Sequence, residues 1–317
     1  MKKNRIISIV ISAVFIWILL TQINLNEIVL VLSKINLNIF VVGFCLYLSS
    51  YFFRTLRFKT LLNNKIKFKK LFSIVCVHNL VNNILPARTG ELSYIYLIKK
   101  NGISTGEGIA TLMIARVFDV IAISLLFFVS VMFVGQLPSI LFNAFYVIAG
   151  ALAVLILFLG SLVYKGKKVI KLVDKILEKI KLKKFKIIAF LLKKAEETAN
   201  NFERIKSKKV VFISFITSIL IWCSAYSMNY VLLGGMGLDL MMWVVILGST
   251  FSIISTLLPI QGIGGFGSSE IAWALAFITL GLAKEVAISS GFGIHILIVV
   301  YFLILGSFGI FIIKLNK

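Results

Sequence analysis

The apolar segment 71–98 is interrupted by Leu85-Pro86-Ala87-Arg88-Thr89-Gly90-Glu91. The apolar segment 241–282 is interrupted in the same way by Leu258-Pro259-Ile260-Gln261-Gly262-Ile263-Gly264-Gly265-Phe266-Gly267-Ser268-Ser269-Glu270. Each break begins with Leu-Pro, continues with glycine, and ends with a glutamate that opens the next apolar arm. The arms are about 12–18 residues long, and because a spanning helix needs ~20 residues, each segment predicts a re-entrant helical hairpin. Matched breaks in the two halves of a chain favour an inverted repeat with a binding site at the breaks.

The remaining apolar stretches predict the membrane spans. Six are continuous and long enough to cross a bilayer, at about 6–22, 39–58, 108–134, 141–164, 210–233 and 286–313. With 60% hydrophobic residues and a mean hydropathy of +1.03, the chain is far more apolar than a soluble domain, so we exclude a cytosolic enzyme. The runs do not alternate, which excludes an outer-membrane barrel.

The fold prediction is therefore an all-α polytopic membrane protein with one transmembrane domain over residues 1–317. It has six full spans plus two re-entrant hairpins in an inverted repeat. An alternative arrangement has eight spans, in which 241–258 and 264–283 both cross the bilayer.

Charge predicts the orientation. The chain has 34 Lys and Arg against 12 Asp and Glu, a formal charge of +22. The basic clusters lie between apolar stretches, which is typical of cytoplasmic loops and does not indicate a nucleic-acid partner. Hairpins that enter from opposite faces place every cluster on one side, so we expect a plasma-membrane protein with both termini cytoplasmic. The first apolar stretch resembles a signal peptide, but no small-residue cleavage site follows it, so we expect a retained span.

The longest polar segment, 165–209, carries 16 Lys and Arg against five acids. Its apolar residues recur at intervals of three and four, which predicts an amphipathic helix with lysines on the opposite face. Such a helix would lie on anionic lipids of the inner leaflet. An ordinary solvated cytoplasmic loop is the alternative.

Ionisable residues within the apolar segments indicate function, because a charge in mid-membrane costs at least ~2.5–3.5 kcal/mol. Arg88 and Glu91 are three residues apart at the first break, and Arg116 and Asp119 have the same spacing in the next span. The two residues of each pair share a helical face, so an arginine can form an ion pair with the acid on its own helix or with an acid on another helix. Glu270 opens the second arm of the other hairpin.

Arginine and the free N–H groups of a broken helix suit a phosphate-bearing headgroup. The predicted lipid-headgroup residues are Arg88, Glu91, Arg116, Asp119, Glu270, Asn79, Asn82, Asn83, Gly264 and Gly265. The predicted structural breaks are Pro86, Gly90, Pro259, Gly262 and Gly267. The alternative is that the charged pairs only neutralise each other and join the hairpins to the bundle.

Several kinds of site are missing from the sequence. There is no Walker loop, no HExxH motif and no Ser–His–Asp order, and the three cysteines lack metal-ligand spacing. We therefore expect no cofactor, no metal and no catalytic residue, and we expect that the chain is not itself an enzyme.

The two breaks resemble the signatures of the lysylphosphatidylglycerol synthase transmembrane-region family, also called flippase-like proteins. The first resemblance rests on residues 83–91 with the tyrosine-rich arm that follows, and the second on 258–270; the Arg116–Asp119 pair fits the same pattern. The second stretch departs from the pattern at Ser268-Ser269, where we expect a basic residue. The resemblance implies the lipid-translocating membrane module, without the aminoacyltransferase domain that some members carry.

The leading hypothesis is therefore translocation of a phosphate-bearing lipid, such as a phospholipid, a glycolipid or a polyprenyl-phosphate carrier. Its partners would be membrane lipids with anionic headgroups. The alternative is a membrane subunit or scaffold of a lipid-modifying transferase whose catalytic site is on a separate chain. A carrier of small ions or phosphate is a third hypothesis.

Overall fold

The structure is a computed structural model that describes residues 25–85, 90–134, 207–257 and 266–315 and the isolated positions 150, 153–154, 168 and 175. Within these residues the chain is all-helical. The helices are α1 Leu25–Ser33, α2 Leu37–Leu61, α3 Phe68–Ile84, α4 Glu91–Lys99, α5 Thr105–Val134, α6 Lys208–Gly235, α7 Met242–Leu257, α8 Ser268–Thr279 and α9 Lys284–Leu315. The prediction of an all-α polytopic membrane protein is confirmed.

Four of the described helices, α2, α5, α6 and α9, are long and apolar enough to cross a membrane. They coincide with the predicted spans at about 39–58, 108–134, 210–233 and 286–313, each extended by a few residues at one or both ends. The predicted spans at 6–22 and 141–164 lie outside the described residues, apart from isolated positions in the second. The amphipathic loop 165–209 likewise lies outside them except at its C-terminal end and two isolated positions.

The helices on either side of the two breaks are short. The first pair, α3 and α4, has 17 and 9 residues, and the second pair, α7 and α8, has 16 and 12. At ~1.5 Å per residue none reaches the ~30 Å thickness of the hydrocarbon core. Three of them, α3, α7 and α8, have the predicted arm length of about 12–18 residues, whereas α4 is shorter than predicted.

One helix was not predicted. The segment 23–38 lies between the predicted spans at 6–22 and 39–58, and α1 occupies nine residues of it. It is too short to span a bilayer. It has a packing role, since Ile28 is buried against Phe292 of α9.

Close packing at glycines fixes the direction of α3 against α9. A Cβ atom at Gly306 would lie 2.6 Å from Leu80, and one at Gly309 would lie 2.7 Å from Cys76. Such small residues let helices approach closely in a membrane, where the hydrophobic effect does not drive helix association. Because residue numbers rise along α3 as they fall along α9, the two helices are antiparallel, and α3 runs from the C-terminal end of α9 towards its middle.

The second hairpin meets α9 from the other end. A Cβ atom at Gly291 would lie 2.8 Å from Trp273, and Glu270 contacts His295. Therefore α8 begins beside the middle of α9 and runs towards the N-terminal end of that helix. Thus α3, the first arm of the first hairpin, and α8, the second arm of the second hairpin, approach the centre of α9 from opposite ends. In each helix, the end next to the break points towards that centre.

Candidate functional site

A buried ion pair joins three helices at the centre of the candidate site. Arg57 of α2 and Asp119 of α5 are each 1% exposed. Arg57 donates from Nη1 to Oδ1 of Asp119 at 2.7 Å and from Nη2 to Oδ2 at 3.1 Å. From α6, the Ser218 hydroxyl accepts from Arg57 Nη1 at 2.6 Å, and Trp222 donates from Nε1 to Asp119 Oδ1 at 3.0 Å. This bidentate geometry compensates charges that would be very costly to bury singly.

Arg116 contacts an acid on another helix and, at a longer distance, the acid on its own helix. Its Nη2 lies 2.7 Å from Oε1 of Glu91, the first residue of α4, whereas its Nη1 is 3.9 Å from Asp119 Oδ2. For Arg116, both kinds of pairing that the spacing left open are therefore present, and the contact between helices is the shorter one. The Arg116–Glu91 pair ties α5 to the second arm of the first hairpin.

Arg54 adds a positive charge to this group. It lies one helical turn before Arg57 and lines the same cleft. It is half-buried and has no ion-pair partner within 4 Å in the described part of the chain. Since the other two arginines are matched by Asp119 and Glu91, the described site has one more positive charge than negative charge.

The cleft is narrow. It is lined by Arg54, Arg57, Phe58, His78, Asn79, Leu112, Ala115, Arg116 and Asp119. The space that water can enter is about 10 Å³, enough for roughly one water molecule. A lipid headgroup would therefore need the lining helices to move apart.

The predicted asparagine face of α3 is only partly at the cleft. Asn79 lines the cleft and donates from Nδ2 to the carbonyl oxygen of Val75 at 2.9 Å. Asn82 Oδ1 is buried without a hydrogen-bond partner among the described residues, and Asn83 is half-buried. Gly90 packs on this face, since a Cβ atom there would lie only 2.2 Å from Asn82 Cα. Glycine is thus required at this break because the backbones of the two arms meet.

Glu270 forms a separate site on the second hairpin. It is 2% exposed, and its Oε2 accepts from the Gly267 N–H at 2.8 Å and from the Ser269 hydroxyl at 2.9 Å. Its Oε1 contacts Nδ1 of His295, whose ring stacks on Phe266 with centroids 4.1 Å apart. The carboxylate therefore caps α8. The φ of Gly267, +107°, lies in the region that favours glycine.

The two charged sites lie at different levels. Along α9, the second site lies at the level of His295, which contacts Glu270. The arginine cleft lies near the level of Gly306, because Gly306 contacts Leu80 and Leu80 is next to the cleft residue Asn79. Eleven residues of α9 separate these levels, which is about 16 Å at ~1.5 Å per residue. Among the described residues, Asn79, Arg116 and Asp119 line one cleft, and Glu91 is joined to it by its ion pair with Arg116. Glu270 does not line this cleft.

Six predicted residues lie outside the described part of the chain: Arg88, Pro86, Pro259, Gly262, Gly264 and Gly265. Their roles stay predictions.

Arg54 and Arg57 were not among the predicted site residues. They begin the run of basic residues from 54 to 70, which is typical of a cytoplasmic loop. Their spacing of three inside an apolar helix is the signal that could have identified them, because it gives them a common face. His295 was also absent from the predicted site residues, and the structure gives this histidine a buried carboxylate partner, Glu270.

Comparisons with known proteins agree with this architecture. The family model described as "Lysylphosphatidylglycerol synthase TM region" matches residues 5–306. The "UPF0104 membrane protein PH1989" of Pyrococcus horikoshii is 25% identical over 313 residues, which covers 91% of this chain and 90% of that protein.

Proposed function

Since this chain belongs to the lysylphosphatidylglycerol synthase transmembrane-region family, we propose that it moves a phosphate-bearing lipid between the leaflets of the membrane. Membership relates it to lipid metabolism and makes it a multi-pass membrane protein. The finer proposal, a flippase- or scramblase-like activity without catalysis by this chain, rests on the arginine cleft.

The observation that carries the proposal is the excess positive charge at Arg54. A phosphodiester has one negative charge and oxygens that accept from a guanidinium. Arg54 is half-buried, lines the cleft beside the first hairpin, and has no carboxylate within 4 Å in the described residues. Ionisable residues within membrane spans are rare and mark substrate or ion paths, which makes Arg54 a candidate for contact with the substrate.

The narrow cleft sets a requirement for transport. Its water-accessible space of about 10 Å³ is too small for a headgroup. The Arg116–Glu91 pair is one of the contacts between α4 and α5, beside the packing of Ile98 on Gly108, and its side chains are 25% and 31% exposed. We propose that the first hairpin shifts as this pair opens, so that Arg116 and Arg54 both reach the phosphate while the lipid chains stay in the bilayer.

The orientation of the chain is part of the same proposal. Both termini would face the cytoplasm in the plasma membrane, with the basic loop 165–209 on anionic lipids of the inner leaflet. The positive-inside distribution of lysine and arginine supports this orientation. No nucleic acid takes part.

The test is lipid exchange in reconstituted vesicles. Fluorescent anionic lipids would be placed in one leaflet, and their exchange compared for the native chain, Arg54→Gln and Lys59→Gln. Lys59 lies on the same helix and does not line the cleft, so it is the matched control. A hydrogen bond to a charged group contributes ~1.5–3 kcal/mol, so Arg54→Gln should slow exchange about 10- to 100-fold, and Lys59→Gln should not slow it.

Two results would contradict the proposal. Exchange by the native chain no faster than in empty vesicles, across several headgroups, would remove the translocation function. Headgroup modification by the purified chain would overturn the view that it is not itself an enzyme. If exchange is absent and a separate transferase chain co-purifies, the alternative of a membrane subunit of a lipid-modifying enzyme would replace it.

A further inference from the structure

A second cavity lies away from the arginine cleft, where the start of α3 meets the ends of α4 and α9. It is lined by Lys70, Ser73, Ile74, Leu97, Lys100, Asn101, Ile312 and Ile313. Its volume is about 170 Å³, close to that of an engineered apolar cavity of ~150 Å³ that accepts benzene. It shares no lining residue with the arginine cleft.

The mouth of this groove is positive. Lys70 and Lys100 are both exposed, and neither has a carboxylate within 4 Å among the residues that the structure describes. The Lys100 ammonium lies 4.8 Å from the centroid of the Tyr96 ring, a cation–π contact that limits where this charge can go. An anion at the mouth would meet two lysine charges.

The inner wall of the groove is apolar. It consists of Ile74, Leu97, Ile312 and Ile313, which come from three helices. Tyr96, beside the mouth, is 57% exposed, as is common for tyrosine at the level of lipid headgroups. The groove therefore offers positive charge at the membrane surface and hydrocarbon contacts just below it.

We propose that this groove holds one anionic phospholipid as a fixed lipid, which is not the transported substrate. The phosphate would lie between Lys70 and Lys100, and the first acyl methylenes would lie against the isoleucines. A free phosphate ion would leave the apolar wall uncovered. The basic loop 165–209 fits poorly as the occupant, because its many lysines would face the two lysines of the mouth. Lipid is the occupant that satisfies both surfaces.

Native mass spectrometry of the purified full-length chain tests this proposal. The chain would be titrated with phosphatidylglycerol, with phosphatidylcholine and with inorganic phosphate. The double variant Lys70→Ala/Lys100→Ala would be compared with Lys67→Ala/Lys99→Ala. The second pair removes two exposed lysines from neighbouring positions that do not line the groove, so it matches the change in charge and location.

We expect phosphatidylglycerol to bind the native chain and the Lys67/Lys99 variant equally. Binding to the Lys70/Lys100 variant should be at least about 10-fold weaker, because the loss of even one direct hydrogen bond to the charged phosphate costs ~1.5–3 kcal/mol. The variant Lys70→Arg/Lys100→Arg should bind as the native chain does, and gel filtration would confirm that every variant is folded.

Three outcomes would overturn the proposal. Equal weakening in both alanine pairs would mean that the whole basic surface attracts lipid without a specific groove. Equal binding of phosphatidylcholine would mean that the lysines do not select an anion. Inorganic phosphate binding as tightly as phosphatidylglycerol would mean that the apolar wall takes no part. None of these outcomes depends on lipid exchange, so the proposed translocation function is tested separately.

Discussion

The substitution Asp119→Asn tests the energetics of the central ion pair. It keeps the shape of the side chain and removes the negative charge opposite Arg57. Arg57 is 1% exposed and donates twice to this carboxylate, so its charge would be left buried without compensation. Removing one partner of a buried pair costs about 3–5 kcal/mol in the free energy of unfolding. The Trp222 N–H, which also donates to Asp119, would lose a charged acceptor.

The matched control is Glu107→Gln. Glu107 also pairs with a cation on a neighbouring segment, with Lys65 Nζ at 2.7 Å, but the Lys65 side chain is 44% exposed. The Glu107 side chain is only 12% exposed, but Lys65 stays in contact with solvent when the carboxylate is replaced, so this variant should lose no more than about 1 kcal/mol. The double replacement Arg57→Met/Asp119→Leu removes both charges and should recover most of the stability that Asp119→Asn loses.

The assay is reversible unfolding in mixed micelles as the fraction of denaturing detergent rises. The expected difference between Asp119→Asn and Glu107→Gln is about 2–5 kcal/mol in the free energy of unfolding. A difference below ~1 kcal/mol, or a double replacement no more stable than the single one, would refute the reasoning, because Arg57 would then not depend on its partner. If the double replacement is stable but inactive in lipid exchange, the pair has a functional role as well.

Two further predictions concern the hairpin breaks. Gly90→Ala should destabilise the chain by at least ~1–3 kcal/mol, because the new Cβ would lie 2.2 Å from the backbone of α3. The control Gly234→Ala should be neutral or stabilising, because no atom lies within 4 Å of its new Cβ. Thermal unfolding in detergent measures both variants. Glu270→Gln should cost ~1–3 kcal/mol by weakening the cap of α8 and the contact of this buried side chain with His295. Glu285→Gln in the exposed first turn of α9 should cost under ~1 kcal/mol. Equal midpoints for either pair of variants would contradict the corresponding contact.

The charged residues show how far sequence reasoning reached at the site. The sequence identified the glutamates after the two breaks and the Arg116–Asp119 pair as site residues, because a charge within an apolar run is rare. It did not identify which charged residues form ion pairs with each other. Asp119 takes its main partner from a residue 62 positions earlier in the chain, and spacing along one helix carries no information about a neighbour that distant. Glu270 pairs with a histidine on α9, which spacing likewise could not predict.

The same limit explains why Arg54 and Arg57 were missed. In sequence they are the first members of a run of basic residues that ends at Lys70, and such a run is typical of a cytoplasmic loop. Only the packing of α2 against α5 and α6 buries Arg57 and leaves Arg54 at the cleft. Burial depends on neighbours, so an arginine at a helix end has the same local sequence whether it faces water or a carboxylate.

Local chemistry determined the secondary structure and the membrane class of this protein. Apolar length defines spans because hydrocarbon does not solvate a polar backbone, and proline and glycine end helices through their own backbone geometry. Tertiary structure decided which charges meet, how α3 and α8 approach the middle of α9, and where a positive charge has no partner. These depend on contacts between residues far apart in the chain, and close contacts such as that of Gly90 with α3 exist only once the helices have packed.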